Sequence, residues 1–106
     1  ATLPGISKVG SYTGNGDYTA GTTVDCGFTN GARFVLIRKT DAAGSWIVFD
    51  AESGITTSDN PHFDLNNTDA QATSSVVDIE PHASGFIANS AGTNADGASY
   101  IFLAIA

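Results

Sequence analysis

Methionine is absent from this 106-residue chain, cysteine and tryptophan occur once each, and only four residues are cationic. Each shortage excludes something. A single cysteine, Cys26, cannot form an internal disulfide. The four cations, Lys8, Arg33, Arg38 and Lys39, stand against eleven carboxylates and leave a formal net charge of −7. Nucleic acid is bound by clustered cations that displace counterions, and anionic membrane surfaces ask for the same; neither is an expected partner. No apolar run approaches the ~18 residues of a membrane span. The opening Ala1-Thr2-Leu3-Pro4-Gly5 lacks the basic and apolar regions of a signal peptide. Ala1 is compatible with a start after methionine removal and with the cut edge of a longer chain. Charged residues are also scarce, at 14% against a usual ~25%.

What is present is apolar residue at 42%, with Ser, Thr, Asn and Gly supplying the polarity. That is enough for one core and too little chain for two, so residues 1–106 are expected to be one domain. Strands are easy to find and helices are not. Residues 5–13 (GISKVGSYT) read as a first strand, ended by Gly14-Asn15-Gly16-Asp17, where Asn-Gly signals a hairpin. Residues 20–26 follow, then a second Asn-Gly turn at Thr29-Asn30-Gly31. Residues 33–40 (RFVLIRKT) and 45–51 (SWIVFDA) each carry four consecutive apolar residues across a four-residue turn, which predicts a hairpin buried on both faces. Residues 52–61 form a polar loop with a weak strand core at 55–57. Shorter strands are expected at 62–66, 73–80 and 84–89, the last two broken by Pro81. A tip loop at 90–97 precedes the wholly apolar 99–106 (SYIFLAIA). That final strand must lie inside a sheet or against another subunit. The expected fold is all-β, a two-sheet antiparallel sandwich of about eight strands, jelly-roll-like.

Catalytic signatures are missing: no phosphate loop, no dinucleotide fingerprint, no G-x-S-x-G elbow. With no convergent acid, base or nucleophile, an enzyme is not expected, and no cofactor is implied. Asp78, Glu80 and His82 alternate and would share a strand face, but Pro81 interrupts it, and a metal needs three or four convergent ligands; no metal site is expected. Asn94-Ala95-Asp96-Gly97 lacks calcium-loop spacing and reads as a plain turn. Asp50 and Glu52 share a face as many strand residues do. Cys26, with no histidine or cation beside it in sequence, reads as a small buried hydrophobe. Trp46, flanked by Ile47, Val48 and Phe49, reads as core, although an exposed Trp46 would suit stacking on a sugar.

The run Val9-Gly10-Ser11-Tyr12-Thr13-Gly14-Asn15-Gly16, followed by Asp25-Cys26-Gly27-Phe28, resembles the opening of a domain found in structural proteins of tailed bacteriophages. The likeness continues through Arg33-Phe34-Val35-Leu36-Ile37-Arg38, Gly44-Ser45-Trp46, Val48-Phe49-Asp50, Leu65-Asn66 and Ser84-Gly85-Phe86. It ends on Ser99-Tyr100-Ile101-Phe102-Leu103-Ala104-Ile105-Ala106, and so covers residues 9–106. The resemblance implies a virion protein made in the bacterial cytoplasm, of the tail-fibre or tail-associated type. Its partners would be other virion subunits, in a homo-oligomer and by resemblance a trimer, with a host-surface glycan or protein as a further contact. A capsid decoration protein and a carbohydrate-binding module outside phage are the alternatives. Loops on a rigid scaffold are the usual binding elements, so 52–61 and 90–97 are the candidate contact loops, with Asp59, Asn60 and His62 as contact residues. On the terminal strand, Tyr100 and Phe102 are the candidate oligomer contacts.

Overall fold

The computed structural model describes residues 3–40, 46–50, 55, 60–64, 72–73 and 78–106, with backbone alone at 61, 63, 64, 72 and 73. The strands are β1 (Ser7–Thr13), β2 (Thr22–Asp25), β3 (Phe34–Lys39), β4 (Ile47–Asp50), β5 (Pro61–Asp64), β6 (Ala72–Thr73), β7 (Ile79–His82), β8 (Gly85–Ala88) and β9 (Ser99–Ile105). They form a large sheet, β1-β9-β3-β4-β5-β6, and a small one, β2-β8-β7, with every described pair antiparallel. Seven strands make the body of the two sheets. The short β5 and β6 extend the large sheet through two residue pairs at each junction. No helix occurs among the described residues.

The fold is the expected all-β sandwich. Its jelly-roll character is confined to one half. There the first and last strands pair, and the chain alternates between sheets through β1, β2 and β3. In the other half β3, β4, β5 and β6 run as a meander.

Period-2 patterning decides which face each strand buries. Val35 and Ile37 of β3, Phe49 of β4, and Tyr100, Phe102 and Ala104 of β9 point inward and meet Val24, Ile79, Phe86 and Ala88 of the small sheet. The Phe86 and Phe102 rings meet edge to face at 5.5 Å, and Tyr12 stacks on Tyr100 at 5.0 Å. Burying a side chain of this size contributes about 1.5–3 kcal/mol, so these few rings are the main cohesive force between the layers. Cys26 belongs to the same cluster. Burial, with Asp25 beside it, pushes its thiol up to about 11 against a smaller opposing effect from Lys8.

Three expectations change. Asn15-Gly16 does not close a hairpin: β1 pairs with β9 along its whole length and β2 with β8, so the connection crosses between sheets. The expected strand at 73–80 does not keep to one sheet: Thr73 belongs to β6 of the large sheet and Ile79 and Glu80 to β7 of the small one, and residues 74–77 lie outside the described residues. Nor does Pro81 break the chain there. It sits within β7, opposite Phe86, and β7 is an edge strand, where a missing N–H costs no ladder bond. The β3–β4 hairpin forms as expected: on its inner face Val35, Ile37 and Phe49 are buried and Ile47 half-buried, and on its outer face Val48 is buried and Phe34 and Leu36 are half-covered.

Candidate functional site

Side-chain parity along β9 governs what the domain can offer a partner. Tyr100, Phe102 and Ala104 alternate inward; Ser99, Ile101, Leu103 and Ile105 alternate outward. Because β9 lies between β1 and β3, second from one edge of the large sheet, its outward residues are flanked by strands on both sides. The registers align them in rows across the strands. Val9, Leu103, Leu36 and Val48 make the middle row. Ser11, Ile101 and Arg38 lie on one side, and Ser7, Ile105, Phe34 and Asp50 on the other. Val9 is 48% exposed, Ile101 38% and Ile105 39%.

A shallow hollow of about 510 Å³ opens on this face, lined chiefly by Val9, Leu36, Trp46, Ile101 and Leu103. At its rim the Arg38 guanidinium lies 5.4 Å over the Trp46 ring. That contact holds both side chains against the sheet and leaves the buried Arg38 Nε with no hydrogen-bond partner. The lining is almost entirely carbon. Such a surface is suited to apolar contacts.

The residues chosen from sequence fall elsewhere. Tyr100 and Phe102 are inside the sandwich and present no surface to another subunit; the outward residues of β9 are Ile101, Leu103 and Ile105, one residue out of phase. Ser99 carried the signal: it is the one polar residue of the strand, and it shares their parity. Asn60 is 1% exposed and His62 7%, which leaves neither side chain a surface to present. The Asn60 amide donates to the Ile79 carbonyl at 2.6 Å, its backbone N–H donates to Asp78 Oδ1 at 2.9 Å, and the His62 ring packs 5.8 Å from Phe49. Asp59 and Glu52 lie outside the described residues.

The contact loop at 90–97 is likewise drawn inward, with Ser90, Thr93 and Asn94 buried. Asn94 Nδ2 donates to Asn15 Oδ1 at 2.7 Å and to the Asp17 carbonyl at 2.8 Å. Its Oδ1 accepts from the Asn15 N–H at 3.1 Å and from Thr22 Oγ1 at 2.7 Å. The loop is a clamp between the sheets. Gly14 belongs to it, since a Cβ there would collide with the Ala95 carbonyl oxygen.

Asp78, Glu80 and His82 do not converge. Asp78 accepts from Asn60, Glu80 from the Asn89 amide at 2.7 Å, and His82 Nδ1 lies 2.9 Å from Ser84 Oγ. Among the described residues no three His, Cys, Asp or Glu side chains come together.

Residues 1–106 match the family model described as domain of unknown function, DUF7483. The chain belongs to the DUF7483 family. No curated protein and no solved structure matches it. In this DUF7483 domain, Tyr12, the Gly14-Asn15-Gly16 turn, Phe86 and the inward half of β9 hold the fold. The outward half of β9 and its neighbours Val9 and Leu36 stay at the surface, exposed or half-covered.

Proposed function

We propose that the chain is a non-catalytic structural module of a bacteriophage virion, of the tail-fibre or tail-associated type, which assembles with copies of itself through the outward face of its large sheet. The observation that carries this is the Val9–Leu103–Leu36 row, flanked by Ile101 and Ile105, on the β1-β9-β3 part of that face, with Val9, Ile101 and Ile105 exposed. Contiguous exposed apolar surface of this kind marks an interaction site. The likeness of residues 9–106 to tailed-phage structural domains supplies the setting, and closed homo-oligomers are the usual outcome of such contacts. A trimer is the form the likeness favours.

The test is solution mass by light scattering over a range of concentrations, on the wild-type chain and on Ile101→Asp. A stable oligomer that I101D dissociates, with an unchanged circular dichroism spectrum, supports the proposal. A wild-type monomer at every concentration, or an oligomer indifferent to I101D, overturns assembly through this face. In the first of those cases the capsid decoration reading, with its contacts on a capsid lattice, takes precedence. A sugar platform at Trp46 is less favoured: the ring is half-buried beneath Arg38, and its surroundings offer few partners for hydroxyl groups.

A further inference from the structure

The connection between β2 and β3 is laid against the turn that joins β7 to β8. The Gly31 N–H donates to the Ala83 carbonyl at 2.7 Å and the Ala32 N–H to the Gly85 carbonyl at 3.0 Å. The Cys26 and Phe28 N–H groups both donate to the Ser84 carbonyl, at 2.8 and 3.2 Å. Gly31 has φ 79°, and a Cβ there would lie 2.8 Å from the His82 carbonyl oxygen. Only glycine therefore lets the two segments close. Between them they leave an open cleft of about 480 Å³, lined by Thr29, Asn30, Arg33, Ile55, Pro81 and His82 with small neighbours. It shares no lining residue with the hollow on the large sheet.

The described lining of the cleft departs from the acidic balance of the chain. Carboxylates outnumber cations eleven to four in the chain, yet no carboxylate is among the described lining residues, while a guanidinium and an imidazole are. His82 Nδ1 accepts the Ser84 N–H at 3.2 Å, so in the neutral ring the proton sits on Nε2 and that position is a donor. Arg33 adds five N–H donors, Asn30 an amide and Thr29 a hydroxyl. The Arg33 backbone N–H is held by the Ile105 carbonyl at 2.7 Å, which fixes the root of the side chain and leaves its exposed head to the cleft. Pro81 and Ile55 supply an apolar strip.

We propose that this cleft binds a carboxylate-bearing saccharide, a uronic acid unit of an acidic glycan. Arg33 takes the carboxylate in a two-pronged hydrogen-bonded pair, the geometry a guanidinium favours. Asn30, Thr29 and His82 Nε2–H meet ring hydroxyls, and the C–H face of the sugar lies along Pro81 and Ile55. The volume suits one or two sugar rings, at the lower end of ordinary ligand sites. A phosphate dianion would call for more than one fixed cation. A bare carboxylate would leave the amide, the hydroxyl and the apolar strip unused. The inference stands apart from the assembly reading, because it uses a different surface and is measured by a different experiment.

The test is titration of the ¹⁵N-labelled full chain with sodium glucuronate, and in separate arms with glucose, sodium acetate and an acidic peptide, followed by amide chemical shifts. Glucuronate is expected to shift the amides of residues 29–33 and 82–84 saturably, while glucose and acetate at equal concentration do not. Arg33→Gln, whose altered side chain is exposed, keeps the dispersed spectrum and weakens glucuronate binding by about tenfold or more, the worth of a charged hydrogen-bonded pair. No saturable shift with glucuronate overturns the proposal. So do equal shifts with acetate, tighter binding of the acidic peptide, and unchanged affinity in R33Q.

Discussion

Every hydrogen-bonding position of the Asn94 amide is filled, two as donor and two as acceptor, and the partners belong to the β1–β2 connection and to β2. Asn94→Asp is nearly isosteric but turns the two donors into acceptors facing Asn15 Oδ1 and the Asp17 carbonyl. It is expected to cost about 3 kcal/mol in urea unfolding, since buried unsatisfied groups cost ~1–3 kcal/mol each. His62 gives the opposite case. Its Nδ1 is buried without a partner, so His62→Phe, which keeps the packing on Phe49, is expected to leave the melting temperature unchanged or raise it. Asp17 accepts the N–H groups of Thr19 and Ala20 at 2.9 and 3.0 Å, and these bonds hold its carboxyl below the usual carboxylate range. Its folded pKa being the lower one, the contribution is present above the unfolded value of ~3.9 and is lost as pH falls through the folded one. In Asp17→Asn the acid limb of a stability–pH curve is expected to be less steep.

At the level of elements, β9 decides most. It gains two hydrogen-bonded neighbours, and its two faces do different work. Phe102→Ala removes a ring packed on Phe86 and Tyr12 and is expected to destabilise by about 3–5 kcal/mol, as large core truncations do. Ile101→Asp, one residue earlier on the outer face, is expected to cost no more than ~1 kcal/mol in the monomer. Urea unfolding of both variants separates the faces. Edge strands are treated differently. Lys8 stands on the inward parity of β1, opposite Ala104, and Pro81 occupies β7. An inward charge and a missing N–H both make an edge a poor template for further pairing. The strand positions were legible in sequence because Asn, Gly and Pro punctuate short apolar runs. The pairing was not, because Asn15-Gly16 has the composition of a hairpin whether its strands pair with each other or with strands far along the chain.

For the whole molecule, alkaline pH should be more damaging than its acidic composition suggests. The unfolded Cys26 ionises near ~8.5 and the folded thiol only at about 11. Tyr12 is displaced in the same direction by burial and by Tyr100. With folded values raised, the unfolded chain loses protons first, and stability falls as pH rises from ~8.5 towards the folded values. Cys26→Ala is expected to flatten the first part of that decline in chemical denaturation at pH 8 to 11. The sequence by itself determined the class of fold, the β3–β4 hairpin and the apolar terminal strand, because these follow from local periodicity and turn chemistry. Only the tertiary structure decided which parity of β9 faces outward, that residues 90–97 fold inward as a clamp, and that Asn60 and His62 are core. Those outcomes depend on partners 12 to 79 residues away in the chain, as in the Asp78–Ser90 and Asn15–Asn94 bonds. The cleft of Arg33 and His82 is of the same kind: two unremarkable strand ends become a donor-lined site once Gly31 lets their backbones meet.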